Sequence, residues 1–151
     1  MEKKNYHISV SEKITPEEAM KHINNPKAWW GEDIDGNSEK KNDVFTYYSR
    51  DTWVKFKITE LEQSKKIVWY VTDCFLHTMN DKKEWKDTRV VWEISKTKEG
   101  VKVDMTHMGL TPKMECYADC EKGWNLFVGN SLHTLMTTGK GTPHKGKTRI
   151  K

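Results

Sequence analysis

Cys116 and Cys120 lie four residues apart in a stretch of helical period, and His107 ends the strand-like stretch before it. Residues of these types bind metals or move protons. Four helical residues overshoot a full circle by about 40°, so the two thiols share nearly one face. Structural zinc takes four ligands, commonly with a Cys-x2-Cys spacing, and that spacing is missing here. With Cys74 the thiols make no disulfide framework either, so all three read as small reduced hydrophobes and no metal or cofactor is expected. His107 shares its strand face with Val101, Val103 and Met105, while Glu121 borders the following helical stripe one turn before Trp124. A histidine and a carboxylate facing one cavity can act as base and acid, or they can make one satisfied hydrogen bond at its mouth. No nucleophile motif and no third orienting group accompany them, so no catalytic residue is assigned. A phosphate-cradling glycine loop and a dinucleotide fingerprint are also missing.

The elements that position these side chains are legible in the periodicity. His7–Val10 alternates as a short strand. Thr15, Pro16 and Glu18 form a helix start with a capping box, and Asn24-Asn25-Pro26 stops that helix. Pro26–Trp30 reads as a second short helix, and residues 31–42 as a polar loop around Asp35-Gly36-Asn37. Five strand patterns follow, at residues 44–48, 53–58, 67–71, 89–94 and 101–106, rich in β-branched and aromatic residues. Val54, Phe56 and Ile58 face one way and Lys55 and Lys57 the other, the habit of an antiparallel sheet wet on one side. From Pro112 to Thr138 the period changes to 3.6. Tyr117, Cys120, Trp124, Phe127, Val128, Ser131, Leu132 and Leu135 make one stripe on a helix of about seven turns. Gly123 and Gly129 weaken that helix, so packing against the sheet must hold it. The reading is α+β, with the long helix covering the apolar face of the sheet.

Composition narrows the function classes. Among 151 residues, 26 basic and 22 acidic side chains leave a net charge of +4. The signs alternate, as in Lys82-Lys83-Glu84-Trp85-Lys86-Asp87, and form no basic stripe, so nucleic-acid binding is not expected. No apolar run follows Met1–Asn5, and no stretch approaches the ~20 apolar residues of a membrane span, so neither a secretory signal nor a membrane span is expected. Three cysteines without a framework suit the reducing cytoplasm. Seven Trp, five Tyr and four Phe concentrate the apolar surface in rings that build a core or line a cavity. One domain over residues 1–143 is expected, with a basic, flexible tail over 144–151.

Several motifs in order resemble a known family. They are Trp53–Leu61, Ile67–Asp73, Thr106–Leu110, Cys116–Cys120, Gly123-Trp124, Ser131-Leu132 and Thr138–Pro143. Across Ile8 to Pro143 the chain resembles the activator of heat-shock-chaperone ATPase homologues, within the SRPBCC (START and birch-pollen-allergen-like) superfamily. The resemblance implies a helix-grip fold, a curved antiparallel sheet around the C-terminal helix with a cavity between them. Members bind lipids, steroids, polyketides and other apolar molecules, and a minority catalyse reactions in the cavity. The expected ligand is therefore an apolar, aromatic or lipid-like small molecule. Its walls would be Phe56, Trp69, Val90, Trp92, Val103, Met105 and His107 from the strands, with Tyr117, Glu121, Trp124, Val128 and Leu132 from the helix. A protein-interaction module acting on a chaperone or other partner is the alternative, and a hydrolase- or cyclase-type cavity enzyme a further one. Elemental analysis of the purified protein is expected to find no stoichiometric zinc; about one zinc per chain would overturn the reading of the thiols.

Overall fold

The computed structural model describes residues 5–144. Seven strands form one antiparallel sheet in the order β1-β7-β6-β5-β4-β3-β2. They are β1 (Tyr6–Glu12), β2 (Ile34–Gly36), β3 (Val44–Ser49), β4 (Thr52–Glu62), β5 (Lys66–Phe75), β6 (Arg89–Lys96) and β7 (Val101–Met108). Helix α1 (Pro16–Ile23) and a 3-10 turn (Pro26–Ala28) follow β1. The C-terminal helix comprises α2 (Tyr117–Leu126), a π-helical segment (Phe127–Leu132) and α3 (His133–Thr138). Among the described residues, no helix is long and apolar enough to cross a membrane.

Each strand read from the alternation is present. The strand not anticipated is β2, three residues inside the stretch read as loop, too short to show a period and held by pairing Ile34 with Tyr47. The buried positions Val54, Phe56 and Ile58 on β4 continue into Ile67, Trp69 and Val71 on β5 and Val90, Trp92 and Ile94 on β6. Register shifts between β4 and β5, at Lys55/Phe56 and Ile58/Glu60, mark irregularities of the kind that bend a strand pair. That curvature makes the sheet concave toward the helix.

The capping box is present in full. The Thr15 hydroxyl accepts from Glu18 N at 3.1 Å, and the Glu18 carboxylate accepts from Thr15 N at 3.2 Å. The C-terminal helix begins at Tyr117 and not at Pro112, because Glu84 holds the preceding residues. Its carboxylate accepts from the backbone of Glu115 and Cys116 at 2.9 and 3.0 Å. Residues 111–117 form two successive turns instead, closed by Met114 N to Thr111 O and Tyr117 N to Met114 O.

Trp124, Val128, Leu132 and Met136 are all buried at four-residue intervals. An α-helix would rotate such a row by about 40° at each step. The π segment, bonded i→i+5, turns less per residue and cancels part of that drift. Gly129 lies in this segment, where a Cβ would stand 3.1 Å from Ile8 Cδ1 of β1.

Beyond the helix, Gly139 adopts a left-handed φ of 83° and the chain returns as a strap. Thr142 N donates to Ser131 Oγ at 2.8 Å, and a Cβ on Gly141 would lie 2.4 Å from Ala28 O. His144 bonds Trp30 O through its N–H and accepts from Glu32 N, each at 2.9 Å. The tail expected over 144–151 thus begins with a residue paired to Gly31, and its remainder lies outside the described residues. Thr15→Ala removes one half of the capping box and is expected to cost about 1 kcal/mol, read as a lower urea midpoint at unchanged m-value.

Candidate functional site

The space beneath the middle of the C-terminal helix is filled with rings. Trp29 and Trp30, carried in by the 3-10 turn, stack at 6.1 Å, and both stack on Trp69 at 6.3 and 6.2 Å. Trp92 meets Trp29 and Trp69 edge-on at 5.6 and 5.3 Å. Phe45 and Phe56 pack beside them at 5.0 Å. This close packing leaves Phe56, Trp69, Val90, Trp92, Val103 and Met105 without solvent exposure of more than 1%. Val128 and Leu132 close the same interior from the helix. Trp29 is anchored by its Nε1, which donates to His22 O at 3.0 Å.

A hollow with mainly apolar walls lies instead at one end of the sheet. It measures ≈ 330 Å³ and has four walls. The β3–β4 hairpin contributes Tyr47, Ser49, Thr52 and Val54, and the β5–β6 loop Leu76, Thr78, Met79 and Trp85. The C-terminal helix and its start supply Cys116, Cys120, Gly123 and Trp124, with Asp119 as the charged side chain of the lining and Phe127 from the π segment, and Trp30 closes the inner end. Of the lining expected from the sequence, Trp124 reaches this hollow. Tyr117 and Glu121 interact with each other, and Glu121 also acts on Tyr6; burial of Tyr6 and these neighbours raise the Tyr6 phenol well above its usual range.

The walls are tied together by polar contacts that the sequence pattern does not display. Glu84 of the β5–β6 loop caps the residues before α2, and Glu115 in return accepts from Asn80 N at 2.9 Å and Asp81 N at 3.3 Å. Loop and helix start are clasped by two crossed carboxylates. Trp30, on the strap side, stacks face to face on Tyr47 at 4.0 Å. Gly31 permits this, because a Cβ there would meet Tyr47 Cε1 at 2.7 Å.

His107, fully buried, joins the sheet to both remaining walls. Its Nδ1 accepts from Trp124 Nε1 at 3.1 Å. Its Nε2 lies 2.9 Å from Thr88 Oγ1, and that hydroxyl donates to Trp85 O at 2.6 Å. These partners assign the proton to Nε2, with Nδ1 unprotonated. Both nitrogens are engaged, so His107 has no free valence to take a substrate proton, and it does not border the hollow. Burial drives its pKa down to about 3. Trp85 Nε1 in turn donates to the sulfurs of Cys116 and Cys120, each at 3.3 Å.

A depressed histidine pKa means that the unfolded chain takes up a proton before the folded one does. Stability is therefore lost as the pH falls from about 6.5 toward 3, and His107 adds no slope below that window. Its share is up to about 1.4 kcal/mol per pH unit inside the window. Urea unfolding of His107→Gln across the same range is expected to show a slope shallower by about one proton; equal slopes would show that His107 is not the linked group.

The sequence matches the family described as activator of Hsp90 ATPase homolog 1-like protein over residues 14–137. No curated protein matches it. Among solved structures, the Aha1 dimer from Colwellia psychrerythraea is similar with a TM-score of 0.72 and 23% identity, covering 93% of this chain and 100% of that one. A protein from Mesorhizobium loti gives a TM-score of 0.71 at 16% identity, over 89% and 97% of the two chains. DynU16, a putative protein of the dynemicin biosynthetic locus, gives 0.65 at 15% identity, over 95% of this chain and 50% of that one. At these identities the structures establish the shared fold. With a family match across most of its length, a curved seven-stranded sheet and a long C-terminal helix, the chain belongs to the activator of Hsp90 ATPase homolog 1-like family, of the helix-grip SRPBCC type.

Proposed function

We propose that this chain is a small-molecule binding module, acting by binding rather than catalysis. Its ligand sits in the hollow between the β3–β4 hairpin, the β5–β6 loop and α2. The observation that carries the reading is a space of ≈ 330 Å³ walled by Trp30, Tyr47, Trp85, Trp124 and Phe127. That volume is at the small end of the range for ligand sites, about 300–1,000 Å³, and the lining is of the usual aromatic kind. Ring walls offer large contact area at little entropic cost, since Trp30, Tyr47, Trp85 and Trp124 are already held against one another. The hydroxyls of Ser49, Thr52 and Thr78 and the carboxylate of Asp119 would orient a polar end. A neutral or cationic end suits that rim better than an anionic one. We place the described residues in one domain, working in a reducing compartment such as the cytoplasm, where the free thiols Cys74, Cys116 and Cys120 persist.

A protein partner, such as a chaperone ATPase, is the second reading, and the family description supports it. The large exposed apolar side chains among the described residues are Val44, Met108 and Leu126, on three separate elements. A partner docking on them would meet no contiguous apolar patch and would have to be recognised through polar contacts. The hydrolase or cyclase reading loses support from His107, whose two nitrogens are already committed to Trp124 and Thr88.

Gly123 supplies a clean test. A Cβ at this position meets nothing within 4 Å, and the residue lines the hollow. Gly123→Leu should extend a side chain from open wall into the space, and it should hold or raise thermal stability, since glycine in a helix costs about 1 kcal/mol. Flavonoids, sterols and fatty acids are screened by tryptophan fluorescence. The expected result is a neutral or cationic aromatic ligand whose affinity falls more than about tenfold, roughly 1.4 kcal/mol, in Gly123→Leu. Binding that is indifferent to this substitution would place the ligand elsewhere, and silence across the panel would move the chaperone reading ahead.

A further inference from the structure

We propose that Cys116 and Cys120, together with the Met79 thioether of the same hollow, form a binding site for a soft monovalent cation, copper(I) or silver(I). The site adds to the organic-ligand reading and does not depend on it, because its donors are sulfur atoms in one wall.

The geometry begins with the single indole N–H of Trp85. It donates to Cys116 Sγ and to Cys120 Sγ at the same 3.3 Å, so the two sulfurs converge on one point instead of splaying along the helix. Met79 comes from the β5–β6 loop and lines the same hollow. Its placement is fixed by Met79 N to Leu76 O at 3.1 Å and by Lys82 Nζ, which donates to Met79 O at 2.5 Å. Cys116 is nearly closed off, with 1% exposure, whereas Cys120 is half-buried and gives the approach from the hollow.

The donor set selects the class of ion. Among the described residues, no group of three or more His, Cys, Asp or Glu side chains is placed to hold a metal, so a zinc tetrahedron has no basis. Thiolate and thioether sulfur select copper(I), which accepts two or three sulfur ligands, and silver(I) shares that chemistry. Binding is a ligand exchange without redox change. The cation forms bonds to two thiolates, the two S–H bonds break, and both protons pass to solvent, leaving a bis-thiolate complex of charge −1. The Trp85 N–H aimed at both sulfurs and the positive end of the α2 dipole offset that charge, while the Glu84 carboxylate that accepts from Cys116 N opposes it.

The test is an anaerobic titration of the reduced, full-length protein against the copper(I) complex of bathocuproine disulfonate, followed by the chelator's absorbance. One copper(I) withdrawn per chain, with quenching of tryptophan emission, is the expected result. Cys120→Ser should abolish the withdrawal, as should Cys116→Ser, while Cys74→Ser should leave it unchanged. Met79→Leu and Trp85→Phe should each weaken it about tenfold, the usual scale for a supporting contact. Melting curves accompany every variant, and Cys120→Ser, at the half-buried position, decides the outcome if Cys116→Ser does not fold. Copper withdrawal that survives in the Cys116→Ser/Cys120→Ser double variant would overturn the proposal. So would a wild-type chain that cannot compete with the chelator. The organic-ligand panel is read separately in Cys120→Ser, so that failure of one site is not mistaken for failure of the other.

Discussion

A buried imidazole must have both ring nitrogens satisfied, or its burial costs a few kcal/mol. His107 sits at the end of β7 with no solvent exposure, and it meets this demand by drawing two other elements onto itself. Trp124 donates to one nitrogen and so sets the rotation of α2 over the sheet. Thr88, at the other nitrogen, passes its own hydroxyl proton to the Trp85 carbonyl and so fixes the end of the β5–β6 loop. From the same Trp85, the indole N–H reaches the two thiols of the helix start. Sheet, loop and helix are joined by one line of directional contacts, and the hollow lies among the residues on it. Such a network is worth more intact than in parts, because each unpaired member inside would carry a desolvation penalty.

Aromatic volume decides where empty space can be. In a helix-grip fold the obvious room lies between the middle of the sheet and the helix. Here Trp29 and Trp30 enter that room from the side and stack against Trp69. The strap over residues 139–144 holds them there, through His144 on Trp30 O and Gly141 against Ala28 O. Interiors pack to crystal-like density, so rings that fill the centre leave space where the elements diverge. The β3–β4 hairpin and the β5–β6 loop diverge at the end of the sheet, and the hollow is there. Trp30 lines that hollow, and Trp92 does not.

The C-terminal helix shows how packing overrules local preference. Its buried row repeats every four residues, which matches neither a straight α-helix nor the presence of Gly123 and Gly129. The π segment brings the row back toward the sheet, and Gly129 lets it lie against Ile8. Gly123 has a different surrounding: no atom approaches where its side chain would be, and the residue serves as open wall.

Strand alternation such as Val54-Lys55-Phe56-Lys57-Ile58, the Thr15–Glu18 capping box and the period change after Leu110 were written in the chain, because each rests on neighbours a few residues apart. They were enough to determine an antiparallel sheet, a first helix and a long closing helix. β2 escaped that reading because three residues carry no period. The start of the last helix was displaced because Glu84, about thirty residues upstream in the chain, caps it. The site was less legible for the same reason. Trp30, Tyr47 and the loop residues Met79 and Trp85 belong to three separate stretches, and no spacing announces that they meet. His107 and Trp124 were visible as inward residues, yet their hydrogen bond to each other and the one between His107 and Thr88 were not. Local sequence determined which residues turn inward and in what kind of element. Only the tertiary structure decided which inward residues fill the interior and which border a hollow, because cavity location depends on volumes summed across elements distant in the chain.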